Sequence, residues 1–203
     1  MDEKVNLEEI EKKSYRHLNE DGLQEIAISL VLILYSGLWS TGVIGVVVLF
    51  QLAFLPKAFE LVRERYTYPR IGYVKHFDET SETGKGIIGF MVASMLIIGI
   101  LIIIGYGKIT GDLIYQWVPS FIGLTMLGAM LYVNGKSGDN IYLGYAVYSI
   151  LSGIGFSLIR FQPVRASIQY YLLFIGFSML IAGLVRFTLF GKKYPVIEVT
   201  VDE

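Results

Sequence analysis

Four stretches of this chain carry no charged side chain and are long enough to cross a bilayer as helices: Gly86–Gly107, Leu113–Val133, Ile141–Leu158 and Ser167–Val185. A hydrocarbon core about 30 Å thick needs about 20 residues of helix. A charge at its centre costs about 2.5–3.5 kcal/mol on insertion scales, so four such runs in succession are a constraint on folding. Of the 203 residues, 54% are hydrophobic. They are gathered into blocks rather than dispersed with a helix or strand period, as a soluble domain would have them. The expectation is an all-α membrane protein.

A fifth charge-free block, Ile26–Pro56, is too long for one ordinary span and short for two. Its middle, Ser36-Gly-Leu-Trp-Ser-Thr-Gly42, has turn chemistry around a Trp suited to the interface. This predicts a helical hairpin, the first helix borrowing length from Leu18–Glu25 and the second from Lys57–Arg65. A single tilted span or a re-entrant hairpin is the alternative. Six segments with the N-terminus inside leave only Lys108, Arg160 and Arg165 of the 17 basic residues outside; five segments divide them more evenly. The positive-inside rule therefore favours a six-helix transmembrane bundle built of three hairpins, both termini cytoplasmic, in the cell membrane. Trp39 and Trp117, with tyrosines such as Tyr170 and Tyr171, then fall at the outer interface.

The expected organisation is a cytoplasmic amphipathic segment (1–22), a first transmembrane hairpin (23–56), a basic cytoplasmic connection (57–85), a four-helix transmembrane region (86–190) and a cytoplasmic tail (191–203). Residues 1–22 are acidic and polar throughout, unlike a signal peptide. Asn6 and Glu9 resemble a capping box opening a short amphipathic helix through Leu18.

Two of the spans resemble each other. Gln116–Leu131 aligns without gaps with Gln169–Leu184, pairing Gln116 with Gln169, Gly123 with Gly176 and Met126 with Met179. Parallel hairpin copies are one explanation; recurrence of small and hydroxyl residues wherever membrane helices touch is the other. Ser149, Gly153 and Ser157, Gly89 and Ala93, and Ser178 and Ala182 stand four apart, a spacing that lets backbones approach. Those faces are predicted to be buried between helices, with Leu, Ile and Phe towards lipid.

Pro69 is expected to end the helix continuing through Lys57–Arg65, because the residues before a proline are pushed towards extended geometry. Arg70–Phe77 and Val196–Val201 then read as strands, each following a Tyr-Pro, and a small cytoplasmic β-pairing between them is predicted. The phrase Thr67-Tyr-Pro-Arg-Ile-Gly-Tyr-Val-Lys75 after a membrane helix, with Asp21-Gly-Leu opening the helix upstream, resembles a motif of uncharacterised prokaryotic polytopic membrane proteins. The resemblance spans residues 20–76. It implies the membrane topology and no activity, since that family has none assigned.

Catalysis finds little footing in this sequence. There is no cysteine, which removes thiol nucleophiles and thiolate metal sites. His17 and His76 stand apart, not at ligand spacing, and read as surface histidines. Ser and Thr within the spans have no local base, and no phosphate-binding glycine loop occurs. No catalytic residue, cofactor or metal is expected, and near-neutral net charge gives no footprint for nucleic acid. The basic set Lys57, Arg63, Arg65, Arg70 and Lys75 reads as a contact for anionic lipid or a protein partner, or as a plain topology determinant. Gln51, Gln116 and Gln169 are the intramembrane polar residues, suited to interhelical hydrogen bonds or to a solute. Arg186, at the inner end of the last span, reads as a snorkelling anchor. The favoured function is a non-enzymatic scaffold or accessory subunit contacting lipid, a partner or copies of itself; a small uncoupled transporter or channel is the alternative.

Overall fold

The structure, a computed structural model, describes residues 12–13, 15–17, 19–39, 54, 57–58, 60–71 and 111–195. Among them there is no strand. The helices among them are α1 (Leu23–Leu38), a stretch over residues 60–66, the single turn α2 (Tyr68–Ile71), α3 (Gly111–Ser137), α4 (Ile141–Leu158) and α5 (Ala166–Lys193), with further helical residues at 12–13, 15–17, 19, 54 and 57–58. The expected span Gly86–Gly107, the glycine–alanine pair at 89 and 93, Gln51, Lys75, and the strand over 196–201 lie outside the described residues. The chain divides into two compact units, the first of residues 1–75 with 176–203 and the second of residues 76–175.

Among the described residues, three helices are long and apolar enough to cross a membrane: α3, α4 and α5. α1 is shorter and apolar and is described as far as Trp39; the rest of the expected first hairpin, from residue 40 to 53, lies outside the described residues. α4 has the expected limits. α5 runs eight residues past Val185 to Lys193, because basic residues end a hydrophobic span without ending a helix.

In the unit of residues 76–175, α3 and α4 form an antiparallel hairpin. Gly138, at φ 61°, terminates α3 in the left-handed conformation that favours glycine, and its N–H bonds Asn134 O at 2.7 Å. Asp139 Oδ1 then accepts from the Ile141 N–H at 3.1 Å, giving α4 its start. The helices meet where side chains are absent. A Cβ on Gly123 would stand 2.5 Å from Ser149 O, and one on Gly153 2.6 Å from Pro119 O. Ser149, Gly153 and Ser157 are buried on this face, as predicted.

Pro119 lies inside α3, and its ring nitrogen cannot bond the carbonyl of Tyr115. That carbonyl lies 3.5 Å from Ser167 Oγ at the start of α5, which donates to it. Ser120 N–H is drawn to Ser157 Oγ at 3.1 Å, and Ser120 Oγ stands 2.8 Å from Ser157 Oγ. Freed backbone groups in a membrane helix must be satisfied by neighbours, and here hydroxyls of α4 and α5 do it. Tyr171 departs from the expected interfacial position: it is fully buried, its hydroxyl donating to Ser149 O at 3.0 Å.

In the other unit, α1 and the second half of α5 run antiparallel. A Cβ on Gly176 would meet Ile33 Cγ1 at 2.8 Å, and one on Gly183 would meet Ile26 Cγ1 at 2.8 Å. The packing stripe of α5 is therefore Gly176, Met179, Gly183 and Phe190, all buried, while Ser178 and Ala182 are half-buried. The aligned glycines 123 and 176 share a role: each lets a serine carbonyl of another helix, Ser149 or Ser29, come close.

Candidate functional site

The described ionisable residues are concentrated at one end of the first unit, where four segments meet: residues 15–22, the start of α1, residues 60–71 and the end of α5. Gly22 makes the junction possible. Its φ is 71°, and a side chain there would collide with the Gly183 carbonyl and stand 2.8 Å from Arg186 Cβ. Asp21 precedes it with 0% of its surface exposed. Its Oδ1 accepts the Leu23 N–H at 3.0 Å, and its Oδ2 accepts from Thr67 Oγ1 at 2.9 Å and lies 3.6 Å from Arg63 Nε. The phrases Asp21-Gly-Leu and Thr67-Tyr-Pro-Arg thus form one buried contact.

The two residues after Pro69 are helical rather than extended. Thr67 ends one helical stretch, its N–H bonded to Arg63 O at 2.9 Å, and its carbonyl accepts from Arg70 and Ile71 at 3.1 and 3.2 Å. Pro69 therefore sits in the first turn of α2, where a missing N–H costs nothing. The strand expected from Arg70 onward is helical at Arg70 and Ile71; residues 72–77 lie outside the described part.

In the first turn of α1, Glu25 is 1% exposed and ion-paired through Oε1 to Arg186 Nη1. Arg186 Nη2 also donates to Asn19 O at 3.0 Å. Glu25 Oε2 has no hydrogen-bond partner. Two carboxylates and two guanidiniums are gathered in this cluster, so its formal charge cancels, as burial demands. Arg63 Nη2 donates to Asn19 Oδ1 at 3.1 Å. Burial pushes the Asp21 carboxyl above its ordinary range, outweighing Arg63 and the Leu23 and Thr67 hydrogen bonds.

A more exposed cluster borders it. Lys193 Nζ lies 2.6 Å from Glu20 Oε1, and the Tyr194 hydroxyl donates to Glu20 Oε2 at 3.1 Å while lying 3.2 Å from His17 Nδ1. Partial burial works against the charged form of Glu20, but the hydrogen bond and charge of Lys193, with Tyr194, outweigh it and hold the carboxyl below its usual value. His17 is thus packed edge-on to Tyr194.

The five basic residues expected to face lipid or a partner divide. Lys57 and Arg65 are exposed. Arg63 turns to Asp21 and Asn19. Arg70 turns to the end of α5, donating from Nη1 to Gly191 O at 3.2 Å and Tyr194 O at 2.7 Å, its guanidinium 4.5 Å from the centre of the Tyr66 ring. Tyr66 stacks on Phe187 with ring centres 4.1 Å apart. Of the glutamines, Gln116 donates to Ser157 O at 3.0 Å and Gln169 is half-buried. Gln116 lines a 230 Å³ cavity with Arg160, Gln162 and Ser167, and Gln169 is not in its wall. Among the described residues, no group of three or more His, Asp or Glu side chains is placed to hold a metal ion.

Sequence reasoning missed Asp21 and Glu25 and gave Arg186 only an anchoring role. The available signal was their position: an acid at the mouth of the first apolar block and a base at the mouth of the last, which a buried pair must join. No family model matches the chain, and neither a curated protein nor a solved structure does.

Proposed function

We propose that the chain is a six-pass integral protein of the cell membrane, N- and C-termini cytoplasmic, acting without catalysis as a scaffold or accessory subunit. The observation that carries the membrane reading is the inversion of inside and outside. Ser29, Ser36, Ser149, Ser157 and Ser167 are buried, while Leu151, Leu158 and Ile181 are 63%, 65% and 63% exposed. Water would drive the opposite arrangement; lipid tails reward small polar contacts between helices and tolerate Leu and Ile outside.

The sidedness is supported by the first unit, where residues 15–22, 60–71 and the end of α5 bond to one another; all three are the basic segments assigned to the cytoplasm. The scaffold reading is supported by how the polar groups are used. Asp21 pairs with Arg63 and Glu25 with Arg186, and Gln116 and Ser120 bond α4. The α3–α4 crossing is closed by backbone contact at Gly123 and Gly153, and the cavity at Gln116 does not extend to Gln169, which weighs against a transport route through that unit. Lys57 and Arg65 remain turned outward for anionic lipid or an acidic partner.

Gentle purification from native membranes, followed by identification of what accompanies the chain, tests this function. A stoichiometric protein partner or a defined homo-oligomer is expected. A monomer that carries no protein from native membranes sinks the accessory-subunit role.

A further inference from the structure

A 410 Å³ cavity opens beside the buried cluster, within the first unit, and its walls change character along their length. Gln24, Ala27, Ile28 and Val31 project from one face of α1, at the three- and four-residue spacing of a helical stripe. The stripe begins polar and becomes apolar as α1 runs towards its charge-free part. Asn19 and Arg63 stand at the polar end.

Arg63 is incompletely used. Its Nη2 donates to Asn19 and its buried Nε faces Asp21 at 3.6 Å, so among the described residues the donor left over is Nη1. A guanidinium with unfilled donors is suited to a phosphate, which takes two parallel N–H bonds from such a fork. Exposed Lys57 and Arg65 on the same segment are matched in number by Glu60 and Glu64, so the positive group at this end of the cavity is Arg63 itself. The volume falls within the about 300–1,000 Å³ of ordinary ligand pockets.

We propose that this cavity is a binding site for one anionic phospholipid. The phosphate lies at Arg63, and an acyl chain runs along Ala27, Ile28 and Val31 in the direction of α1. The gradient from guanidinium to aliphatic wall over about two helical turns matches the gradient from headgroup to acyl chain. Asp21 keeps Arg63 oriented by sitting behind Nε, which leaves the remaining edge for the lipid. The proposal rests on the membrane-spanning reading, and it names the lipid as occupant rather than free phosphate or a protein.

The test uses the full chain in detergent, titrated with phosphatidylglycerol, phosphatidylcholine or inorganic phosphate, with bound lipid counted by native mass spectrometry. Carbonate extraction of the starting membranes checks separately that the chain is integral. One phosphatidylglycerol per chain is expected, held about fivefold or more tightly than phosphatidylcholine, the worth of one basic residue at an anionic surface. Ile28→Trp, which fills the apolar wall without touching the ion pairs, should abolish retention, and Arg63→Lys should weaken it while keeping the charge beside Asp21. Equal binding of the two lipids, binding of inorganic phosphate alone, or full retention by Ile28→Trp each overturns the proposal. If the chain is extracted by carbonate, it is the membrane reading that fails.

Discussion

Thr67 Oγ1 donates to Asp21 Oδ2 at 2.9 Å across 46 residues of sequence, in a place where water reaches neither side chain. The bond ties the turn between two helical stretches to the loop that launches α1. A buried carboxylate deprived of one donor loses about 1–3 kcal/mol. Thr67→Val should therefore lower unfolding stability by that amount in detergent, and Thr67→Ser by much less. Equal midpoints for Thr67→Val and the parent chain would remove the bond from any structural role.

Glu25 and Arg186 should behave as a unit. Removing one partner of a buried pair costs about 3–5 kcal/mol, because the other charge is left stranded. Glu25→Gln and Arg186→Gln are each expected to be strongly destabilising, and the double variant less so than their sum. A double-mutant cycle by chemical denaturation reads the coupling; strict additivity would mean the pair does not form.

The α3–α4 crossing predicts opposite outcomes for two glycines of one helix. Gly153→Ala places a methyl group against the Pro119 carbonyl, and should cost about 1–3 kcal/mol through overpacking. Gly144 has nothing within 4 Å of a built Cβ, so Gly144→Ala should be neutral or stabilise by up to about 1 kcal/mol from helix propensity. The thermal midpoint of Gly153→Ala should fall below that of the parent, and that of Gly144→Ala should not.

Acid should loosen the Glu20 cluster. Glu20 has a folded-state pKa below its ordinary 4.5. Its contribution is therefore complete above that value and lost as pH falls through the lower folded one. Asp21 has the opposite sign: raised above 3.8, it favours folding at low pH and loses that contribution as pH climbs through its folded value. Stability measured from pH 6 downwards should fall less steeply in Glu20→Gln than in the parent. An unchanged acid limb would show that Lys193 and Tyr194 do not hold the carboxylate.

Sidedness can be read directly because the chain has no cysteine of its own. Single cysteines at Lys57, Arg160 and Lys192, all exposed positions, should differ in intact cells. An impermeant maleimide should label only Arg160→Cys. Labelling of Lys57→Cys or Lys192→Cys before lysis would overturn the six-pass arrangement.

The helices were legible because their signals are local. Ile141–Leu158 is bounded by a polar turn at 138–140 and by Arg160 and Pro163, and hydrophobicity alone fixed both limits. The small-residue face of α4 followed from a four-residue spacing. On α5 the same rule selected Ser178 and Ala182, which are half-buried, while the residues that meet α1 are Gly176 and Gly183, seven apart; spacing finds a stripe, but the partner helix decides which stripe it meets. Pro69 misled because a proline ends one helix and starts another equally well, and only the Thr67 carbonyl bonds distinguish the cases. The Asp21–Arg63 and Glu25–Arg186 pairs were hidden because an ion pair between distant segments leaves no periodic trace.

The inverted distribution of side chains reverses the usual logic of protein engineering for this molecule. A water-soluble version would have to replace the outward Leu30, Leu34, Leu151, Phe177 and Ile181 while leaving Ser29, Ser149, Ser157 and Ser167 untouched. Swapping those serines for larger aliphatic residues, the ordinary way to strengthen an interior, would pry the backbones apart at the places where they now touch.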